Sequence, residues 1–151
     1  MSLAPGSRLG VYEVRTQIGV ERNKKEAIMT TRKDVAITFL QLAAIGRVRE
    51  AYDQFVDAGF RHHNPYFEGG ADALMKGMEE NARQNPDKRL DVLRSLEDGD
   101  LVAVHSRVRH KPGDLGVVVV HIFRFAGDRI VELWDLGQEI PRESVNANGM
   151  L

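Results

Sequence analysis

The strongest restriction on the fold comes from residues 116–141, GVVVVHIFRFAGDRIVELWDLGQEIP, where two β-rich runs flank an Ala-Gly-Asp turn. Two such runs around a short turn predict a β-hairpin. The register that pairs Phe125 with Arg129 places His121 and Asp135 on one face as diagonal neighbours. The hairpin therefore brings an imidazole and a carboxylate together.

The first strand of this hairpin carries apolar residues at both odd and even positions between 117 and 123. A strand that is apolar on both faces must be covered on both. On the second strand, we expect Ile130, Trp134 and Leu136 on the face opposite Asp135. That face requires a cover, either another sheet or another subunit.

Length and composition fit one globular domain, with 151 residues of which 42% are hydrophobic and 28% charged. The net charge is −1 without a long run of one sign, which argues against a nucleic-acid or membrane surface. The absence of cysteine excludes disulfides, thiolate metal sites and a cysteine nucleophile. No apolar run approaches the roughly 20 residues of a membrane-spanning helix, and the first residues lack a signal-peptide core. We expect a soluble cytoplasmic protein.

The first 29 residues differ from the rest, since they are rich in charges, with Pro and Gly near the start and one short alternating piece at 9–14. The sequence MTTRKDVAITFL begins at Met29 and reads as an alternative start. We therefore expect residues 1–29 to be an N-terminal extension and residues 30–151 to form the folded domain.

The first helix has a clear start, because Thr31 followed by Asp34 forms a capping-box pattern, and this helix is expected to end near Gly46. The later patterns predict a helix at 48–55, a break at 57–59, a short strand at 60–63, a helix at 71–85 and two strands at 89–97 and 101–110. Helices come first and an antiparallel meander last. This order predicts an α+β domain, with helices packed on one face of a curved, mainly antiparallel sheet that encloses a conical cavity.

Four short motifs carry a family resemblance: HNP at 63–65, DGD at 98–100, HIFRFAGDRIVELWD at 121–135 and NGML at the C-terminus. In this order and spacing, the chain resembles the SnoaL-like proteins, the polyketide-cyclase branch of the NTF2-like, ketosteroid-isomerase-like superfamily. The resemblance implies an α+β cone, a homodimer through the outer sheet face and a pocket between sheet and helices. It also implies an aspartate that acts as general acid/base in an intramolecular aldol closure, without metal or cofactor.

The chain differs from the common family sequence motif at two positions. The family commonly has an aspartate before Ile-Phe-Arg and a histidine before Trp-Asp, whereas this chain has His121 and Leu133. The cyclase base therefore cannot be carried over directly. Asp135 is the remaining acidic candidate in this stretch. His121 would then have to act as the base.

His121 lies in an apolar strand, where a histidine is either a hydrogen-bonded core residue or a pocket residue. An unpaired buried imidazole is costly, which favours the pocket. Desolvation would lower its pKa and Asp135 would raise it. Asp135 either orients that imidazole or forms a structural hydrogen bond at a strand end.

His105 is the third catalytic candidate. If His110 pairs with Gly116, His105 pairs with His121 and two imidazoles share one cavity. A register slip of one residue would place His105 on the other face, where it would be a surface or interface histidine.

Neighbouring His62 and His63 point in opposite directions in an extended chain, so at most one enters the pocket. The HNP match selects His63 and Asn64 as pocket residues, while Asn64 could instead close a turn with its own backbone. The aromatic substrate-binding candidates Phe67, Phe123 and Trp134 could equally be core or interface residues. No metal-binding spacing is present, so we expect no metal.

These patterns favour a cofactor-independent enzyme that removes a proton next to the carbonyl of a small apolar compound, as in aldol cyclisation or isomerisation. His121 would be the base, Asp135 its partner, and His105 or Asn64 the donor to the enolate oxygen. The alternative is a non-catalytic ligand-binding or dimerisation module on the same fold.

Overall fold

The computed structural model describes residues 30–151 and, before them, two short strands, β1 (Arg8–Leu9) and β2 (Tyr12–Glu13), which pair antiparallel. The expected N-terminal extension otherwise lies outside the described residues. The remaining elements are α1 (Arg32–Ala44), α2 (Val48–Phe55), β3 (Val56–His62), α3 (Ala71–Gln84), β4 (Arg89–Asp98), β5 (Leu101–Arg109), β6 (Val117–Ala126) and β7 (Arg129–Glu139). Within the described part of the chain, no helix is long and apolar enough to span a membrane.

Helix α1 begins with the expected capping box. Thr31 Oγ1 accepts a hydrogen bond of 3.1 Å from Asp34 N, and Asp34 Oδ2 accepts one of 3.0 Å from Thr31 N. The chain leaves the helix through Gly46, whose φ of +87° lies in the left-handed region that favours glycine. Most of α1 is buried, and the ring of Phe39 packs edge-on against Phe123 at 5.7 Å. This helix therefore forms the centre of the core.

The five main strands form one open sheet in the order β3-β7-β6-β5-β4. Neighbouring strands are antiparallel except β3, which runs parallel to β7. We call the face that packs on α1 the inner face; it contributes buried Val102, Val104, Phe123, Phe125, Ile130 and Leu133 to the core. The α+β architecture predicted from the element order is confirmed.

The β6–β7 hairpin has a different register from the one expected. A two-residue turn joins Ala126 to its partner Arg129, and a β-bulge leaves Val131 without a partner. His121 consequently lies directly opposite Asp135 instead of diagonally. Since a bulge inserts one extra residue, the alternation of side chains reverses across it.

This reversal corrects one expected position. Ile130 is fully buried on the inner face, although it was expected beside Trp134 and Leu136. Trp134 and Leu136 lie on the opposite face, which we call the outer face. The sequence carries no Gly or Pro at the bulge that would mark it.

Strand β3 is longer than the expected segment at 60–63. The predicted break at 57–59 is instead an irregularity within the strand, because pairing with β7 shifts between Val56 and Arg61. Asp57 Oδ1 accepts a hydrogen bond of 2.8 Å from Gly59 N and fixes this local turn of the backbone. The other predicted helices and the β4–β5 hairpin are confirmed to within one or two residues.

Candidate functional site

A pocket with a cavity volume of about 250 Å³ lies between the inner face of the sheet, the C-terminal half of α1 and α3. Apolar side chains of α1, α3, β4 and β5 form most of its wall. The polar side chains in the wall are Asn64, Asn81, Lys88, His121 and Asp135. A mostly apolar wall with a few polar groups is the usual form of a small-molecule site.

His121 and Asp135 face each other across β6 and β7, and both line the pocket. Nδ1 of His121 is buried without a hydrogen-bond partner among the described residues. Nε2 is therefore the ring nitrogen that a ligand can reach. Desolvation lowers the pKa of His121 to about 4, because it outweighs the opposing effect of the Asp135 charge. The imidazole is neutral at neutral pH, and with its hydrogen on Nδ1 it can accept a proton at Nε2.

Asn64 is both a pocket residue and a turn residue, so both interpretations of this side chain hold. Its Nδ2 donates a hydrogen bond of 2.9 Å to Asp135 Oδ2, and its Oδ1 accepts one of 3.0 Å from Tyr66 N. The hydrogen bond from Tyr66 N therefore holds the Asn64 amide in place, and this amide in turn orients the carboxylate of Asp135.

His62 is buried and supports the loop at 63–70, which contains Asn64. Its Nδ1 accepts a hydrogen bond of 3.2 Å from Asn64 N, and its Nε2 lies 2.6 Å from the carbonyl oxygen of Glu68. Since a carbonyl can only accept, the geometry requires the tautomer with hydrogen on Nε2. His62 thus holds the segment that presents Asn64 to the pocket.

Phe67 belongs to the same loop and lines the pocket, where its ring lies against Gly77 of α3. A Cβ built at Gly77 would lie only 2.7 Å from Phe67 Cζ, so any larger residue there displaces the ring. The glycine inside α3 therefore has a packing function, since it makes room for the aromatic wall of the pocket.

His63 and Trp134 do not line the pocket, and their expected positions there are wrong. Their rings stack on the outer face with centroids 4.8 Å apart and an angle of 2° between their planes. The alternation of the extended chain turns His62 inward and His63 outward. Phe123 is fully buried beneath the site, with its ring 6.2 Å from that of His121, and so supports the imidazole from the core.

The expected pairing of His105 with His121 is also wrong. Val104 lies opposite His121, while His105 pairs with Val120 and faces outward. The last pair of this ladder is Val108 with Val117. The register therefore differs by one residue from the expected one, in which His110 pairs with Gly116. His105 Nδ1 lies 2.8 Å from a guanidinium nitrogen of Arg94 on the outer face.

Glu132 is the centre of an ion-pair cluster on the outer face, which we call the outer charge cluster. Arg61 contacts both carboxylate oxygens at 2.7 and 3.0 Å, Arg124 Nε lies at 3.1 Å and His63 Nε2 at 2.8 Å. The hydrogen bonds from Arg61 are the main cause that lowers the pKa of Glu132 to about 2. These contacts tie β3 to β7 and β6, close to Asn64, which follows β3, and to Asp135 within β7.

Sequence reasoning missed two polar pocket residues, Asn81 and Lys88, and did not assign the apolar wall. Asn81 continues the stripe of Leu74 and Met78 along one face of α3, a helical spacing that a search for polar pocket residues could have used. Lys88 stands before β4 and carries no such signal. Among the residues with defined positions, no group of three or more His, Asp or Glu side chains is arranged to hold a metal ion.

Comparison with known proteins identifies the fold family. The sequence-family model of the SnoaL-like domain matches residues 38–133 of this chain. An NTF2-like protein of unknown function from Cytophaga hutchinsonii is 15% identical and superposes with a TM-score of 0.60 over 75% of this chain and 95% of that chain. A SnoaL-like protein of unknown function from Burkholderia thailandensis is 18% identical, with a TM-score of 0.57 over 68% of this chain and 91% of that one.

A third solved structure, named as a candidate polyketide cyclase from Bacillus cereus, is 19% identical and has a TM-score of 0.62 over 71% of this chain and 74% of that chain. No protein of curated function matches the sequence at a significant level. At these identities the solved structures establish the fold alone, and the family model covers well over half of the chain. The chain belongs to the SnoaL-like family.

Proposed function

We propose that this protein is a cofactor-independent enzyme of the cyclase or isomerase type, which acts next to the carbonyl group of a small apolar compound. The observation that carries the proposal is the neutral imidazole of His121 opposite Asp135 in a largely apolar pocket. The likeness to a candidate polyketide cyclase from Bacillus cereus agrees with this class of reaction.

In the proposed reaction, Nε2 of His121 removes a proton from the carbon next to the carbonyl. The C–H bond breaks, an N–H bond forms, and the electron pair moves to the carbonyl oxygen as an enolate. The imidazolium that forms gains the opposite carboxylate of Asp135 as its counter-charge. In isomerisation, the imidazolium returns the proton to another carbon of the conjugated enolate. In cyclisation, the enolate carbon attacks a second carbonyl of the same molecule, a C–C bond forms as the C=O π bond breaks, and the resulting alkoxide takes the proton from the imidazolium.

Asn64 is the proposed donor to the enolate oxygen. Its Nδ2 has two hydrogens, one of which is used by Asp135. The second can stabilise negative charge as it develops, in a pocket whose low dielectric strengthens the interaction. His105, which faces away from the pocket, takes no part in this mechanism.

The proposal is tested by deuterium exchange, which requires no knowledge of the natural substrate. The α-protons of an apolar ketone such as α-tetralone are followed by NMR in D₂O with wild-type protein, with His121→Phe and with His105→Phe as the matched control. We expect exchange with wild type and His105→Phe but none above buffer with His121→Phe. A non-catalytic ligand-binding module would bind the ketone and leave all three exchange rates at the buffer value.

The exposed apolar residues of the outer face support a second proposal, a homodimer through this face. Leu96 and Leu136 are 69% and 63% exposed there, and a shallow groove lined by Ala103 and Val120 runs beside Leu96. Apolar surface of this kind is stabilised when a second subunit covers it. In sedimentation velocity, Leu96→Glu should yield monomer, whereas Val145→Glu, an equally apolar-to-charged change in the exposed tail, should not. A wild-type protein that sediments as monomer at high concentration would contradict the dimer.

A further inference from the structure

The pocket has a second polar end. Lys88 Nζ donates a hydrogen bond of 2.6 Å to Asn81 Oδ1, and both side chains line the pocket together with His121 and Asp135. The mechanism proposed above does not use either residue. Their place in the same cavity raises the question of what they contact when a ligand is bound.

The strand register separates the two ends. His121 is level with Val104 on β5, whereas Leu90 on β4 is level with Val108. Val104 and Val108 are four residues apart along β5, which corresponds to roughly 13 Å. Lys88 precedes Leu90 by two residues, so its backbone lies beyond the level of Leu90, on the side away from His121. A ligand that reaches both ends must be elongated.

The charge of Lys88 has no compensating carboxylate in the part of the chain that the structure describes. Within residues 30–151, no carboxylate lies within ion-pair distance of its Nζ, and its hydrogen-bond partner is a neutral amide. The side chain is half-buried, and desolvation lowers its pKa. A partly desolvated ammonium without a counter-charge is unfavourable, and an anionic ligand group would relieve that cost.

We infer that Lys88, positioned by Asn81, binds a carboxylate group at the end of the ligand distant from His121. The substrate class would then be an elongated apolar carbonyl compound that carries an acid group. This inference rests on the proposed small-molecule function of the pocket and adds the charge of its ligand. A neutral compound of the same shape would bind more weakly, since it leaves the ammonium unpaired.

The test compares two probes of nearly equal shape, cinnamate and its neutral amide cinnamamide, by isothermal titration calorimetry. We expect wild-type protein to bind cinnamate about tenfold more tightly than cinnamamide, the size of effect typical of one charge-assisted hydrogen bond. Lys88→Met keeps the aliphatic stem and removes the charge, so it should abolish this preference without weakening cinnamamide binding. Lys88→Arg should retain the preference, and Lys111→Met, a change at an exposed lysine outside the pocket, should leave both affinities unchanged.

Three results would overturn the inference, and they have two different meanings. Equal binding of cinnamate and cinnamamide by wild type, or an unchanged preference in Lys88→Met, would show that Lys88 does not select an acid while the pocket still binds small molecules. Failure of wild type to bind either probe would contradict the proposed pocket function and the inference together. Far-UV circular dichroism of each variant ensures that a lost preference is not lost folding.

Discussion

Asp135 lies directly opposite His121 in the β6–β7 ladder, but no hydrogen bond joins the two side chains among the described residues. Instead, Asp135 Oδ2 accepts a hydrogen bond of 2.9 Å from Asn64. Directly opposed residues have Cβ atoms about 5 Å apart, close enough for the carboxylate charge to act on the ring. The carboxylate is thus held by a third residue and remains available to a charge that forms on His121.

Desolvation of His121, which is half-buried in the pocket wall, makes stability sensitive to mild acid. The ordinary imidazole pKa is 6.5 and the folded value is about 4, so between these pH values the unfolded chain binds a proton that the folded chain does not. The free energy of unfolding therefore falls as pH falls through this window, by at most about 1.4 kcal/mol per pH unit. His121→Phe removes this contribution, which urea unfolding at about pH 7 and about pH 5 would measure. Identical pH slopes in the two proteins would refute a desolvated, neutral imidazole.

Asn64→Asp separates the two functions of Asn64. The new carboxylate keeps the acceptor for Tyr66 N but loses the donor to Asp135 and adds a like charge beside it. We expect the thermal midpoint to fall, because two carboxylates then repel each other, and α-tetralone exchange by the protein that remains folded to fall by about tenfold or more, as for loss of one charge-stabilising donor. Exchange at the wild-type rate in a folded Asn64→Asp protein would remove Asn64 from the mechanism.

Glu132→Gln tests the outer charge cluster. Glu132 is 4% exposed and bonds two arginines, so its neutral amide should lower the free energy of unfolding by about 1–3 kcal/mol. Because its pKa is lowered, the contribution is complete above pH 4.5 and is lost as pH falls toward 2. The control Asp91→Asn breaks the more exposed pair with Arg109 and should cost less than about 1 kcal/mol. Equal losses from both substitutions would contradict the buried position of Glu132.

A double-mutant cycle tests the contact between Gly77 and Phe67. Alanine is favoured over glycine within a helix by about 1 kcal/mol, so Gly77→Ala should stabilise a Phe67→Ala protein by up to that amount. In the wild-type background the new methyl group meets the Phe67 ring, and the gain should shrink or reverse. Urea unfolding of the four proteins measures the difference. The same effect of Gly77→Ala in both backgrounds would exclude the contact.

Local signals were sufficient for the order of helices and strands. The capping box of Thr31 and Asp34, the stop at Gly46 and the tight turns of the two hairpins each act within a few residues, so they can be found from the sequence. The alternation of His62 and His63 was also visible, but not which of the two faces the core. That choice depends on the parallel pairing of β3 with β7, a contact between distant segments.

The register of the central strands could not be predicted in the same way. The unpaired Val131 resembles its neighbours in the strand, yet it shifts His121 from a diagonal to a direct partner of Asp135. A difference of one residue between β5 and β6 likewise turns His105 outward. The end of the pocket at Lys88 was missed because His121 and Asp135, with which Lys88 shares the cavity, are more than 30 residues away in the sequence.

The most direct test of the account is the pH dependence of α-tetralone deuterium exchange by wild type and His121→Phe. If neutral His121 is the base, the wild-type rate above buffer should stay level from neutral pH down to about pH 5 and fall below it, with a midpoint near the folded pKa of about 4. His121→Phe should give no rate above buffer at any pH. A wild-type midpoint near 6.5, or His121→Phe exchanging as fast as wild type, would contradict the account.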